Sequence, residues 1–354
     1  MPLSKLKSKA ASQSRRTTLK DVARSIGVSH VTVSLALKSD PQIPASTRER
    51  VIKAAQALNY VPHEGAQRLK TGRSGKIAYV AARLAFGFAG HVLAGVEQRA
   101  FELGLYENAI QPYSTWYHIS TREEILRQIL YGGQAEAVIL VSMYPSPEIV
   151  LEYKRHDVPL ILVEAKAPGC HSVRVDNALG ARLATECLIQ AGCKQVALVA
   201  GQLPPQDVEL NPTVVERRQG FADAMAAAKL GRKLPLIADI RFYEFEEGRQ
   251  ALDLLLKQQP KLDGIFCAAG DRVALGIIER ARELGLRIPQ DLKLIGYDDL
   301  LESRFLDPPL SSVSQPTAQL GAEAFDLAIY AIKNPGQGEK HLFHKPKLVL
   351  RKTT

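Results

Sequence analysis

The chain is poor in cysteine and tryptophan and has no long apolar run. Each shortage removes a class of protein. Its four cysteines, Cys170, Cys187, Cys193 and Cys267, show no CxxC spacing and no neighbouring histidine pattern. That argues against a disulfide framework and against zinc, and predicts reduced thiols in a core. No apolar stretch approaches the roughly 18 residues of a membrane span. The N-terminus carries Lys and Arg but no apolar segment of the signal-peptide type. Enzyme signatures are missing too: there is no GxGxxG after a strand, no GxSxG elbow and no HExxH. Gly72-Arg73-Ser74-Gly75-Lys76 has the wrong spacing for a phosphate-binding loop, and Asp298 and Asp299, adjacent on a strand end, point apart, unlike a catalytic dyad. These absences predict a soluble cytoplasmic protein that is not an enzyme, holds no cofactor or metal and binds no membrane.

What is present is segregated charge. Formal net charge is +9, yet residues 1–73 hold 14 Lys and Arg against 4 Asp and Glu, while the remaining 281 residues hold 32 against 33. The whole basic excess lies at one end, as expected of a module that neutralises phosphates. Lys5, Lys7, Lys9, Arg15 and Arg16 lack apolar periodicity and read as a disordered basic arm over 1–16. Arg24, Lys38, Arg48, Arg50 and Lys53 fall within helical patterns and are candidates for fixed phosphate contacts.

Within that basic segment, LKDVARSIGVSHVTVSLALK (19–38) places Val22, Ile26, Val28, Val33 and Ala36 on the inner sides of two short helices. Ala23 is small at their crossing, and Gly27 supplies the left-handed turn between them. Thr18 to Asp21 reads as a capping box and Ser29 as the N-cap of the second helix. A helix-turn-helix results, with its second helix suited to the DNA major groove; a plain pair of packed helices is the alternative. A third helix over 45–58, with Val51, Ile52, Ala55 and Leu58 on one face, completes a headpiece spanning 17–61. A polar linker follows at 62–75.

From Lys76 onward, apolar strands such as IAYVAARL, AVILVS, PLILVEA, QVALVAG and LKLIGYDD alternate with amphipathic helices. This predicts parallel sheets buried on both faces. The strands are too many for one sheet, so 76–354 should form two doubly wound subdomains, about 76–192 with 316–334 and about 193–315 with 335–354. Ligands of such folds sit at the carboxyl ends of the strands, here between subdomains.

Headpiece, linker and two-lobed α/β body together resemble the LacI/GalR family of bacterial regulators, over residues 18 to 354. TLKDVARSIGVSHVTVS, STRERVIKAAQALNYVPH, VDNALGARLATECLIQAG, LGLRIPQDLKLIGYDD and LVLRKTT carry the likeness, in the family's order. It implies a body of the periplasmic-binding-protein type and a homodimer on a pseudo-palindromic double-stranded operator, controlled by a small metabolite such as a carbohydrate. Repression is the expected output, with activation or corepressor dependence as the alternative. A sugar-binding protein without DNA function would lack the headpiece.

The same resemblance assigns base-edge reading to His30, Val31 and Leu35, and phosphate or backbone contacts to Ser29, Thr32, Ser34 and Lys38. Relatives usually carry Arg or another polar residue where Leu35 stands; a leucine can touch only a thymine methyl or pack. The linker aligns with a hinge helix whose leucine, here Leu69, wedges into the minor groove. Gly65 and Glu64 depart from the family's usual choices there. In the body, Asp176, Arg217, Asp271, Asp298 and Gln315 match effector-holding positions, and Phe88 falls where an aromatic stacks on the ligand ring. Gly270 stands where many relatives have Asn or Asp. The loop PYSTWYHIS, with Tyr113, Trp116, Tyr117 and His118, is unusually aromatic, and cleft lining, a dimer surface and core packing are all open to it.

Overall fold

The computed structural model describes residues 17–37, 40–60, 74–85, 87–105, 109–203, 212–230 and 235–354. The basic arm, Lys38, most of the hinge and Leu69 lie outside them. The chain divides into two compact units, Met1–Arg73 and Ser74–Thr354.

In the first unit, α1 (Leu19–Ile26), α2 (His30–Leu37) and α3 (Ala45–Ala57) pack around Val22, Ala23, Val33, Ala36, Val51 and Ala55. Helix α1 opens with the reciprocal box: the Asp21 N–H donates to the Thr18 hydroxyl at 3.3 Å, and the Thr18 N–H to Asp21 Oδ2 at 2.9 Å. It ends on Gly27 at φ +70°, the left-handed conformation that glycine adopts without steric cost. Ile52 and Leu58 do not join the core face of α3; both are exposed. Ile52 lies about 100° round the helix from Val51, and Leu58 falls just past the last helical turn.

Among the described residues, the second unit holds two six-stranded sheets. The chain first builds β1 (Ile77–Ala81), α4 (Gly87–Glu102), β2 (Ile110–Ser114), α5 (Ile119–Tyr131), β3 (Ala137–Val141), α6 (Pro147–Arg155), β4 (Leu160–Val163) and β5 (His171–Val175). It then builds α7 (Asn177–Gln190), β6 (Val196–Gly201), α8 (Pro212–Ala227), β7 (Ile237–Ile240), α9 (Phe245–Gln258), β8 (Gly264–Cys267), α10 (Asp271–Glu283), β9 (Lys293–Asp298) and β10 (Ser311–Ser314). Helix α11 (Thr317–Lys333) and strands β11 (His341–His344) and β12 (Lys347–Val349) finish it.

The first sheet, in the order β11-β5-β4-β3-β1-β2, is wholly parallel. The second, β12-β10-β9-β8-β6-β7, is parallel except for its β12 edge. Successive residues of a strand face opposite ways. Thus Ile77, Tyr79 and Ala81 enter one core of the first sheet, and Ala78 and Val80 the other. Helices α4 and α11 cover one face with their backbones almost in contact: a Cβ on Gly95 would lie 2.0 Å from the Ala318 carbonyl oxygen.

Three crossovers join the lobes, and two of the expected boundaries move. Helix α7, expected in the first subdomain, packs against α8 and the strands of the second sheet, so the first crossing is at Asp176. Strand β11, expected in the second subdomain, hydrogen-bonds to β5 in the first sheet, so the last crossing lies between His344 and Lys347. Strand patterning reports burial, which both sheets share equally; partner choice is a long-range matter that local sequence does not encode.

Candidate DNA-contacting surface and effector cleft

On the first unit, α2 turns Val33 and Ala36 inward and leaves His30 and Val31 exposed, Val31 by 51%. Leu35 is half-buried and lies outside the headpiece core, whereas the neighbouring Leu37 packs on it. Ser29 caps α2, its hydroxyl accepting from the Thr32 N–H at 3.0 Å and meeting the Thr32 hydroxyl at 2.9 Å. Ser34 is half-buried on the same helix. Of the basic candidates, Arg48 is half-buried and donates to the Asp40 and Ile43 carbonyls at 3.0 and 3.3 Å, bracing the turn before α3. Arg50 donates to the Ile26 carbonyl at 3.0 Å, while Arg24 pairs with Asp21 and Lys53 with Glu49 on the surface.

In the second unit, the loops at the carboxyl ends of β1, β3, β6, β7, β8 and β9 converge on a cavity of about 170 Å³. Phe88 and Asp298 line it, on the first and second lobes respectively. Asp298 ends β9 at φ +103°, a backbone conformation costly for a non-glycine residue. It is buried, which pushes its carboxyl above the usual range, and it accepts from Gln315 Nε2 at 2.6 Å. The other polar atom of the Gln315 side chain, Oε1, is buried with no hydrogen-bond partner among the described residues.

The departure at Gly270 has a steric cause. This residue sits at φ +102°, and a Cβ there would come within 2.9 Å of Asp298 Oδ2. A side chain at Gly270 would collide with the carboxylate that lines the cavity.

Arg217 lies buried on α8, its guanidinium carbon 3.6 Å above the Tyr297 ring. It donates from Nε to Asn177 Oδ1 at 2.8 Å and from Nη1 to the Ala268 carbonyl at 2.7 Å. Tyr297 donates to the same Asn177 oxygen at 3.1 Å. Asn177 in turn donates to Glu164 Oε2 at 2.6 Å, and the Val175 N–H to Glu164 Oε1 at 2.6 Å. Glu164 follows β4 in the first lobe, so a continuous buried polar chain passes through the crossover from one lobe to the other. Burial pushes the Glu164 carboxyl up to about 7, against the pull of Asn177 and Arg217.

Sequence reasoning missed Glu164, Asn177 and Tyr297. Their only trace was a carboxylate closing the apolar run LILVE and an asparagine after Asp176.

The two remaining candidates have internal partners. Asp176 is half-buried and caps α7, accepting from the Leu179 N–H at 2.9 Å. Asp271, first residue of α10, accepts from the Leu300 N–H at 2.9 Å and from the Ser303 and Ser312 hydroxyls at 2.6 Å each. Burial, reinforced by Asp298, pushes its carboxyl up to about 7. It tethers the segment after β9 and is not in the lining of the cavity.

The aromatic loop crosses the cleft. Tyr117 stacks on Tyr243 (centroids 6.3 Å apart, planes at 15°) and meets Phe242 edge-on at 6.0 Å. Its hydroxyl donates to the Phe242 carbonyl at 3.3 Å. Arg83, after β1, pairs with Glu244, which also accepts from Arg272 Nε at 3.0 Å. Among the described residues no group of three or more His, Cys, Asp or Glu is placed to hold a metal ion, and no helix is long and apolar enough to cross a membrane.

A capped helix-turn-helix on a unit of its own, and a cleft at the strand ends of a two-lobed body, define a DNA-binding regulator with a ligand-receiving body. Residues 18–63 match the model of bacterial regulatory proteins, lacI family, and residues 185–354 that of the periplasmic binding protein-like domain. The ribose operon repressor of Haemophilus influenzae is 30% identical over 338 residues, 95% of this chain and 98% of that protein. A solved complex of the transcriptional regulator CelR with cellobiose is 28% identical, with a TM-score of 0.68 over 96% of this chain and all of that one. A lac repressor dimer bound to operator and the anti-inducer ONPF shares the fold at 24% identity, with a TM-score of 0.79 over 96% of this chain and 99% of that one. The chain belongs to the LacI family of bacterial regulatory proteins.

Proposed function

We propose that the protein is a cytoplasmic repressor that binds a pseudo-palindromic operator as a homodimer and is controlled by a carbohydrate in the inter-lobe cleft. The observation that carries this reading is the pairing, in one chain, of an exposed helix on a basic headpiece with a cavity bordered by strand ends of both lobes. Relatives described as a ribose operon repressor and as a regulator bound to cellobiose support the sugar, and the lac repressor dimer on its operator supports the assembly.

In this reading His30, Val31 and Leu35 meet base edges, while Ser29, Thr32, Ser34 and Lys38 hold the backbone. Leu69 wedges the minor groove. Phe88 stacks on the sugar ring and Asp298 accepts from its hydroxyls. Arg217 and Gln315 hold the polar wall behind them, and Asp176 and Asp271 fix the loops that frame it. Sugar binding alters the lobe arrangement and so the balance between DNA-competent and incompetent states.

Selection of bound fragments from random duplex DNA, followed by fluorescence anisotropy with D-ribose, D-glucose and cellobiose, tests the reading. The expected result is a two-fold-symmetric site whose affinity changes with one of these sugars. Binding without sequence preference, or operator affinity indifferent to all three, overturns it.

A further inference from the structure

The contacts across the cleft mouth do more than close it. Arg83 and Tyr117 come from the first lobe; Phe242, Tyr243, Glu244 and Arg272 come from the second, and all six line the cavity. Glu244 sits between two guanidiniums, one from each lobe: Arg83 on one carboxylate oxygen, and Arg272 on the other at 2.9 to 3.0 Å. The Tyr117 ring fits against both Phe242 and Tyr243. Opening the lobes must break the ion pair, both ring contacts and the Tyr117 hydrogen bond together, so these weak contacts act as one unit. The space they border, about 170 Å³, falls below the roughly 300–1,000 Å³ of pockets that take drug-sized ligands; an adjoining cavity of about 380 Å³ shares Gly87, Arg272 and Leu300 with it. One sugar ring suits the space directly behind these contacts.

We propose that Arg83 and Tyr117, closing on Phe242, Tyr243 and Glu244, form a latch over the cavity mouth that restricts the ligand to a single sugar ring and excludes disaccharides. The proposal rests on the effector-cleft reading above, and it sets this chain apart from the cellobiose-bound relative. The latch also carries its own reporter. Trp116, the only tryptophan, lies in the first lobe with the Arg83 guanidinium carbon 5.2 Å from its ring centroid. A change in the second lobe reaches Trp116 only if the lobes touch.

The test uses the full-length protein. In the first arm, Trp116 emission of the ligand-free protein is compared with that of Glu244→Gln and Phe242→Ala. Changed emission in both, with far-UV circular dichroism preserved, supports the latch; emission identical to wild type overturns it. In the second arm, calorimetry measures D-ribose, D-glucose and cellobiose against wild type, Tyr117→Phe and Tyr117→Ala. Wild type and Tyr117→Phe, which keeps the stacked ring, are expected to prefer a monosaccharide over cellobiose by at least about tenfold. Tyr117→Ala is expected to lose most of that preference. Cellobiose binding to wild type as tightly as a monosaccharide, or a preference unchanged in Tyr117→Ala, overturns the size restriction. If no sugar binds wild type, the carbohydrate reading falls and with it the size restriction, while the latch itself stands or falls on the emission result.

Discussion

Replacing Arg217 with alanine removes the centre of the buried chain between the lobes. Two hydrogen bonds from a charged donor are lost, to Asn177 Oδ1 at 2.8 Å and to the Ala268 carbonyl at 2.7 Å. Each is worth roughly 1.5–3 kcal/mol. The guanidinium 3.6 Å above Tyr297 adds about 2 kcal/mol in a desolvated setting. Against these stands the cost of burying the cation, which the variant no longer bears. Breaking a buried charged cluster by deleting one partner leaves a net loss of about 3–5 kcal/mol. At roughly 2–4 °C per kcal/mol for a domain of this general size, that loss corresponds to a melting point about 6–20 °C lower. The headpiece is a separate compact unit, so operator binding at low temperature should survive while the response to sugar disappears. Calorimetric melting, with operator anisotropy measured with and without sugar, checks both parts. Arg217→Lys keeps the charge but not the planar fork, and should fall between wild type and alanine. A variant that melts like wild type and still releases operator on sugar addition refutes the argument.

Three further outcomes follow from the geometry. Gly270→Ala forces a Cβ to within 2.9 Å of Asp298 Oδ2 at φ +102°; a stability loss of about 1–3 kcal/mol and weaker sugar binding are expected by urea titration and calorimetry, and a neutral substitution would contradict the steric account. Glu164 has its carboxyl raised from 4.5 to about 7 by burial, so the fold holds its proton more tightly than the unfolded chain does. Its contribution is therefore full below about pH 4.5 and is lost as pH rises to about 7, by an order of 3 kcal/mol. Glu164→Gln should flatten that fall in urea unfolding between pH 5 and pH 8. The comparison with wild type separates it from His171, whose burial acts in the opposite sense, and an unchanged pH profile would show Glu164 to be ionised throughout. Leu35→Arg should shift the operator preference toward guanine at one position per half-site by about 1–3 kcal/mol in a competition assay, whereas an unaltered preference would remove Leu35 from the base-reading face.

What could be read in advance depended on how local its cause is. The Thr18–Asp21 box, the Gly27 turn and the Ser29 cap are set by residues within a few positions of one another, and the structure shows each of them. The apolar runs announced the parallel strands because burial on both faces leaves a local imprint. Lobe membership of α7 and β11 left none, since it depends on which distant edge is available. The same holds in the cleft. Asp298 and Phe88 reach the cavity from strand-end and helix-start positions that the pattern marks. An acidic residue opening a helix could equally be a ligand or a tether, and Asp271 finds its partners about 30 to 40 residues away in Leu300, Ser303 and Ser312. Glu164, Asn177 and Tyr297 become one chain only when two lobes fold together. The aromatic loop was conspicuous by composition, but its partner Tyr243 lies 126 positions from Tyr117 in the sequence.

If cleft and headpiece share one equilibrium, their ligands must affect each other reciprocally. Affinity for the tightest-binding monosaccharide should be measured by calorimetry on the full-length protein, first free and then saturated with its selected operator. Operator should change sugar affinity by the same factor by which saturating sugar changes operator affinity. Sugar affinity identical with and without operator would contradict it.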